Sequence, residues 1–165
     1  MPTLHAIAAA PADCPTDIVF VVDESGSIDS FDFERMKTFL SNLVSRLDVD
    51  SGHTRVGLIT FATGIGSGFN LSDYSTSISV RNAILSLTHT QGGTRTADAL
   101  AYVRTTMLTL AAGDRSNAPN VVVVLTDGRS HSLSQTQVSV YRPTEVIDRS
   151  VHANKNKKPR RMTSK

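Results

Sequence analysis

Asp23, Ser25 and Ser27 form an Asp-x-Ser-x-Ser run inside VVDESGS, and their alternation lets one carboxylate and two hydroxyls face a single point. Gly26 between the serines allows the backbone to turn tightly there. Oxygen donors of this kind suit a hard cation, Mg²⁺ or Mn²⁺ with Ca²⁺ as a further candidate, and disfavour softer metals that seek Cys and His. Two later segments offer the same chemistry. GGTRT at 92–96 carries Thr94, and VVVVLTDG at 121–128 ends in Asp127 and a glycine. Each residue also has a simpler use: Ser25 and Ser27 as helix caps, Thr94 as the N-cap of a following helix, Asp127 as a turn residue before Gly128.

These oxygens matter only if the chain brings them together. DIVFVV within 17–23 is so continuously apolar that it reads as a central strand covered on both faces. Residues 33–47 read as a helix through Met36, Phe39, Leu40, Leu43, Val44 and Leu47, with Asp29, Asp32 and Glu34 suiting the positive end of its dipole. RVGLITF at 55–61 reads as a second strand, and 66–71 as a short edge strand after a Gly-rich turn. A short helix follows at 77–87 through Ile78, Ile84, Leu85 and Leu87. A longer one spans 96–111 through Leu100, Val103, Met107, Leu108 and Ala111. With VVVVL at 121–125 as a buried strand, strands alternate with helices. The rhythm predicts an α/β fold: a doubly wound, Rossmann-like, mostly parallel sheet with helices on both faces and right-handed crossovers.

With the three oxygen-bearing pieces in this order and context, residues 14–132 resemble the von Willebrand factor A domain family. That family's metal-ion-dependent adhesion site is assembled from Asp-x-Ser-x-Ser, a Thr and an Asp, here Asp23, Ser25, Ser27, Thr94 and Asp127. The resemblance implies that Thr94 is a direct ligand while Thr96 caps the helix. It also implies a strand order 3-2-1-4-5-6, which makes the first and fourth strands neighbours and lets Asp23 meet Asp127. Two carboxylates and three hydroxyls leave an octahedral ion unsaturated, so a Glu or Asp of a protein partner is expected to fill the open position. The implied branch is the extracellular matrix one, similar to collagen VI and matrilin modules, with collagen or another adhesion protein as partner. Glu24 departs from the small residue that the family places between Asp and Ser. It is expected to point to solvent, the alternative being an internal ligand for the open position. Arg129 and His131 are read as solvated loop residues on the same crest.

In the matrix branch a Cys at the position of Cys14 commonly pairs with one after the last helix. Cys14 is the one cysteine here, which leaves a missing carboxyl half, an intermolecular bridge or an unpaired thiol. The same family pattern makes the chain look truncated after the fourth strand, so VVVVL would present an open edge that QVSVY at 137–141 covers in part. The expected organisation is a flexible segment at 1–13, a partial domain at 14–141 and a basic, disordered tail at 142–165. From Arg142 on there are eight basic and two acidic residues, against nine and thirteen before it. Residues 155–161 could bind a polyanion such as a sulfated glycosaminoglycan; nothing points to a specific nucleic acid.

The 165 residues, 39% hydrophobic, fit one domain, and no apolar run reaches the roughly 18 residues of a membrane span. An enzyme is not expected. An aspartate-nucleophile phosphoryl site wants a second carboxylate where Ser25 stands, ATGIGSG at 62–68 lacks the following Lys-Ser/Thr of a phosphate loop, and the five histidines are scattered. Three functions stay open: a secreted adhesion module, an intracellular (cytoplasmic) scaffold subunit of a multiprotein complex, and a truncated form with no working site. The amino end lacks the basic region of a signal peptide, which leaves the compartment between the first two.

Overall fold

The apolar run after Pro15 forms strand β1 (Thr16–Asp23) in the computed structural model of the chain, which describes residues 15–127. Cys14, Arg129, His131, QVSVY and the basic tail therefore lie outside the described residues. Alternate side chains of β1 leave on opposite faces, as strand geometry requires. Phe20 and Val22 pack on one side with Phe33, Leu40, Val44, Val80 and Ile84. Val19 and Val21 pack on the other with Ile59, Phe61, Ala99, Val103 and Met107. Helices α1 (Ser30–Val44) and α2 (Ser77–Leu85) supply the first set, and α3 (Thr96–Tyr102) with the turn after it supplies most of the second. Burying each such side chain is worth about 1.5–3 kcal/mol, so β1 is the axis on which both halves of the core depend.

Strand β2 (Thr54–Phe61) and strand β4 (Asn120–Leu125) flank β1 and run parallel to it. Strand β3 (Ile65–Phe69) lies antiparallel on β2, giving the order β3-β2-β1-β4. This is the doubly wound α/β arrangement the sequence predicts, with β1 between β2 and β4 where the direction of strand addition reverses. A crevice at the carboxyl ends is expected at such a point. Among the described residues β4 pairs with β1 alone, so its other edge is the edge of the sheet, with Val122 buried and its neighbours half-buried.

Several elements differ from the sequence reading. Helix α1 begins three residues earlier than expected because the Asp29 carboxylate accepts the Asp32 N–H at 2.8 Å and caps it there. Its buried stripe is Phe33, Lys37, Leu40, Ser41 and Val44, and Phe39 falls off it at 56% exposure. The unexpected member is Lys37. Its ammonium donates to the carbonyls of Leu85 and Leu87 at 3.1 and 3.0 Å, satisfying the last turn of α2, and it pairs with Glu34 at 2.7 Å. Ile78 and Leu85, expected inside, are exposed, and α2 buries Val80 and Ile84.

The expected 96–111 helix is broken. After α3 the chain makes one π turn over Val103–Met107 and a 3₁₀ turn over Leu110–Ala112, ending on Gly113 in the left-handed region at φ 93°. Thr105 and Thr109 donate their hydroxyls to carbonyls of the preceding turn at 2.9 and 2.8 Å, a use of threonine that competes with regular helix. The expected edge strand at 66–71 lies at Ile65–Phe69, and Leu71 leaves it to join the core beside α3.

At the amino edge of the sheet, fully buried Asp17 is gripped by Arg115. Nε and Nη2 donate to Oδ1 at 2.9 and 2.7 Å, and the Arg115 amide donates to Oδ2 at 2.9 Å. The rest of the guanidinium donates to the carbonyls of Thr16, Gly52 and His53.

Candidate metal centre

At its carboxyl end β1 delivers Asp23, 0% exposed, into a loop that turns back on it. Oδ1 accepts the Ser25 N–H at 2.8 Å, an Asx turn, and the Ile28 N–H donates to the Ser25 carbonyl at 3.0 Å. Ile28 is buried beside α1 and fixes the far end of the loop. The hydroxyls of Ser25 and Ser27 lie 3.1 Å apart, the first buried and the second exposed. Neither serves as the cap of α1, since Asp29 does.

The second segment is tied to the first and to the end of β2. The Gly26 N–H donates to the Gly92 carbonyl at 2.9 Å, the Gly93 N–H to Thr63 Oγ1 at 2.8 Å, and the Arg95 N–H to the Ala62 carbonyl at 2.9 Å. Thr94, buried, stands between the last two anchors. The turn is sharp: Gly92 has φ 126° and Gln91 sits in the left-handed region at φ 61°. The N-cap position of α3 is Arg95 and makes no side-chain capping bond; Thr96 lies inside the first turn, buried, so it is not the cap the sequence suggested.

The third segment follows from register. Val22 stands opposite Leu125, which sets Thr126 beside Asp23, and the Thr126 hydroxyl donates to Asp23 Oδ2 at 2.7 Å. Asp127 comes next and is exposed. Hydrogen bonds thus join the Asp23 loop to the loops that carry Thr94 and Asp127.

Glu24 differs from its expected place. It is 1% exposed, accepts the Thr60 hydroxyl on Oε1 at 3.0 Å and the Thr90 N–H on Oε2 at 3.4 Å, and so points into the protein, not to solvent. Thr60 and Thr126 were not singled out in the sequence. The signal for Thr60 is a lone hydroxyl in the otherwise apolar end of RVGLITF; for Thr126 it is the one-residue step beyond the β1–β4 register.

Two adjacent carboxylates, Asp23 and Glu24, are therefore buried. Among the described residues the ion pairs are Arg35–Asp32, Lys37–Glu34, His53–Asp48, Arg95–Asp98 and Arg115–Asp17, and none involves either carboxylate. A buried carboxylate without a cationic partner is costly. Among the described residues no three His, Cys, Asp or Glu gather as a metal cluster, so any cation here would be held by hydroxyls together with few carboxylates. Asp23 with the Ser25 and Ser27 hydroxyls beside it presents oxygen donors of the kind a hard divalent cation suits, and the loops of Thr94 and Asp127 are hydrogen-bonded to this one.

A model of the von Willebrand factor type A domain matches residues 17–158. The chain is 41% identical over 118 residues to the collagen alpha-4(VI) chain of Mus musculus, covering 70% of this chain and 5% of that protein. It is 40% identical over 118 residues to Matrilin-1 of Mus musculus, covering 70% of this chain and 24% of that protein. It is 35% identical over 151 residues to Integrin alpha-1 of Gallus gallus, covering 89% of this chain and 50% of that protein. The chain thus spans a minor part of the first curated relatives it matches. Among solved structures, proximal thread matrix protein 1 of the mussel byssus superposes with a TM-score of 0.71 at 25% identity, over 77% of this chain and 34% of that one. Another structure of that protein, at 24% identity, has its MIDAS motif occupied by zinc.

Proposed function

We propose that this chain, which belongs to the von Willebrand factor type A domain family, is a divalent-cation-dependent protein-binding module of the adhesion and extracellular-matrix kind. Asp23, Ser25, Ser27, Thr94 and Asp127 hold the cation, Mg²⁺ in the first instance, and it leaves a position open to an acidic residue of the partner. When bound, the ion supplies the positive charge and the vacant coordination position that a carboxylate of the partner takes. The protein's own residues do the rest. Asp23 offers its carboxylate from a dry strand end, the Asx turn orients Ser25 and Ser27, and the anchored Gly92–Arg95 loop sets the Thr94 hydroxyl. Asp127, exposed at the end of β4, brings the second charge and faces the partner.

The observation that carries this reading is fully buried Asp23, which receives two neutral donors and, among the described residues, no cationic side chain while standing beside a pair of hydroxyls. The relatives favour the matrix setting: collagen VI, matrilin and integrin α proteins point to an extracellular location and to collagen or another adhesion protein as partner. Among the described residues no helix is long and apolar enough to cross a membrane.

The test is binding of the full chain to a collagen-coated surface in Mg²⁺, with calorimetric titration of Mg²⁺ alongside. Binding should vanish in EDTA, and Asp127→Ala should weaken both Mg²⁺ and surface binding by at least about tenfold, the range seen when a metal site loses a supporting group. Binding indifferent to EDTA and to Asp127→Ala would sink the reading.

A further inference from the structure

Glu24 is a buried carboxylate to which the cation reading gives no task. We infer that Glu24 is a positioning residue for the metal centre: it straps the loop that carries Thr94 to the end of β2, a role that presupposes the assignment of Thr94 proposed above. The backbone first carries it there. The Glu24 N–H donates to the Phe61 carbonyl at 2.9 Å, continuing the β1–β2 ladder one residue past the strand. Its side chain then turns under the loop, accepting the Thr60 hydroxyl on Oε1 and the Thr90 N–H on Oε2.

With that bond the loop is held at four backbone positions, Thr90, Gly92, Gly93 and Arg95. Two of the anchors are on the Asp23 loop (Glu24 and Gly26) and two at the end of β2 (Ala62 and Thr63). The loop needs holding because its turn includes Gln91 in the left-handed region and Gly92 at φ 126°, conformations that a free segment abandons. Thr94 follows directly, so any slack at Thr90–Gly93 displaces the hydroxyl by as much.

Gly66 supplies the space. A Cβ there would overlap Glu24 Oε1 and Thr60 Oγ1, so β3 leaves an opening where the longer acidic side chain fits. Glu24 and Gly66 are complementary, and neither is among the five residues assigned to the cation.

The experiment compares wild type, Glu24→Ala, Glu24→Gln and Gly66→Ala in the full chain. It uses Mg²⁺ titration by calorimetry and hydrogen exchange of the 90–95 amides in metal-free protein. Glu24→Ala should weaken Mg²⁺ binding by about tenfold, as loss of an outer-shell partner does, with unchanged stoichiometry. Its 90–95 amides should exchange faster even without metal. Glu24→Gln can keep its amide oxygen on the Thr90 N–H while its NH₂ donates to Thr60 Oγ1, whose own hydroxyl turns to the Ser67 carbonyl, and should stay within about threefold of wild type on both readouts. Gly66→Ala should reproduce Glu24→Ala without touching the loops. Wild-type affinity or unchanged exchange in Glu24→Ala overturns the role, as does a Glu24→Gln no better than Glu24→Ala, which would assign the effect to charge instead of placement. Should Glu24→Ala not fold, Gly66→Ala against Glu24→Gln decides by the same readouts. A wild type that takes up no Mg²⁺ defeats the metal assignment alone, and the exchange comparison still judges the strap.

Discussion

Strand β1 carries a fully buried aspartate near each end, and the two are treated in opposite ways. Asp17, at the amino edge, receives three hydrogen bonds from Arg115, two of them from the guanidinium, whose remaining N–H groups are absorbed by carbonyls of three neighbours. Asp23, at the carboxyl edge, receives a backbone N–H and a hydroxyl and no positive charge from the described residues. One end is closed electrostatically by the chain itself. The other is geometrically organised and, among the described residues, has no counter-charge, which is what a site for an outside cation requires.

Breaking the closed end should have the largest effect. Arg115→Ala strands Asp17 without its charge partner, and loss of one member of a buried pair costs about 3–5 kcal/mol. Urea unfolding of Arg115→Ala with and without Mg²⁺ should show a loss of this size in both conditions. A loss below about 1 kcal/mol would mean that the pair behaves as a surface ion pair, and the contrast between the two ends would fail.

The open end should answer to Mg²⁺ instead. At a free concentration one hundred times its Kd, a ligand specific for the folded state adds about 2.7 kcal/mol to stability. Wild type should gain this and Asp23→Asn should not. In EDTA, Asp23→Asn should be at least as stable as wild type, because it removes an uncompensated buried charge. Asp17→Asn should lose stability in both conditions, since it uncouples Arg115. A Mg²⁺-dependent gain retained in Asp23→Asn would place the cation elsewhere.

How much of this the sequence revealed differs between the ends as well. The run from Asp23 to Ser27, Thr94 and Asp127 stood out because oxygen-bearing residues sit where apolar strands stop, and the alternation of elements gave the sheet that connects their loops. The Asp17–Arg115 grip did not stand out, because its partners are 98 positions apart and a lone arginine in a turn carries no local pattern. Lys37 misled the helix reading in the same way. Its place on the buried stripe of α1 depends on the carbonyl ends of α2, which periodicity cannot register. Phe39 was expected inside because a phenylalanine counts toward any apolar spacing, yet its angle around α1 turns it to solvent. Glu24 was misread because an acidic side chain beside a surface loop is normally solvated; the clue was the conjunction of Thr60 on β2 with Gly66 on β3, adjacent only once the hairpin forms.

A smaller effect sharpens the picture of the open end. Gln91 holds a left-handed backbone at φ 61° in the turn before Thr94, a conformation disfavoured for residues with a Cβ. Gln91→Gly should relieve about 1–2 kcal/mol of strain, which outweighs glycine's extra chain entropy of about 0.5–1 kcal/mol and leaves a net gain of about 0.5 kcal/mol in thermal unfolding of the metal-free protein. A destabilisation of similar size would show that the loop is stiffened by the Gln91 side chain and not merely strained by it.

The smallest expected effect belongs to the closed end. After α1, a hydrogen bond from the Ser51 side chain holds the Asp48 carboxyl below its ordinary value of 3.8, with His53 Nδ1 3.2 Å from Oδ2 adding to the effect. A carboxyl with a depressed folded-state pKa contributes stability that is complete above the unfolded value and disappears as pH falls through the folded one. The stability difference between wild type and Asp48→Asn should therefore shrink as the pH drops below the unfolded carboxyl value. Because Asp48 is exposed, salt should reduce the part contributed by His53. Urea midpoints of the two proteins across this range measure it directly. A difference that still grows as the pH falls below the unfolded carboxyl value has the wrong sign for a depressed carboxyl and would remove Asp48 from the set of groups that tighten the amino edge of the sheet.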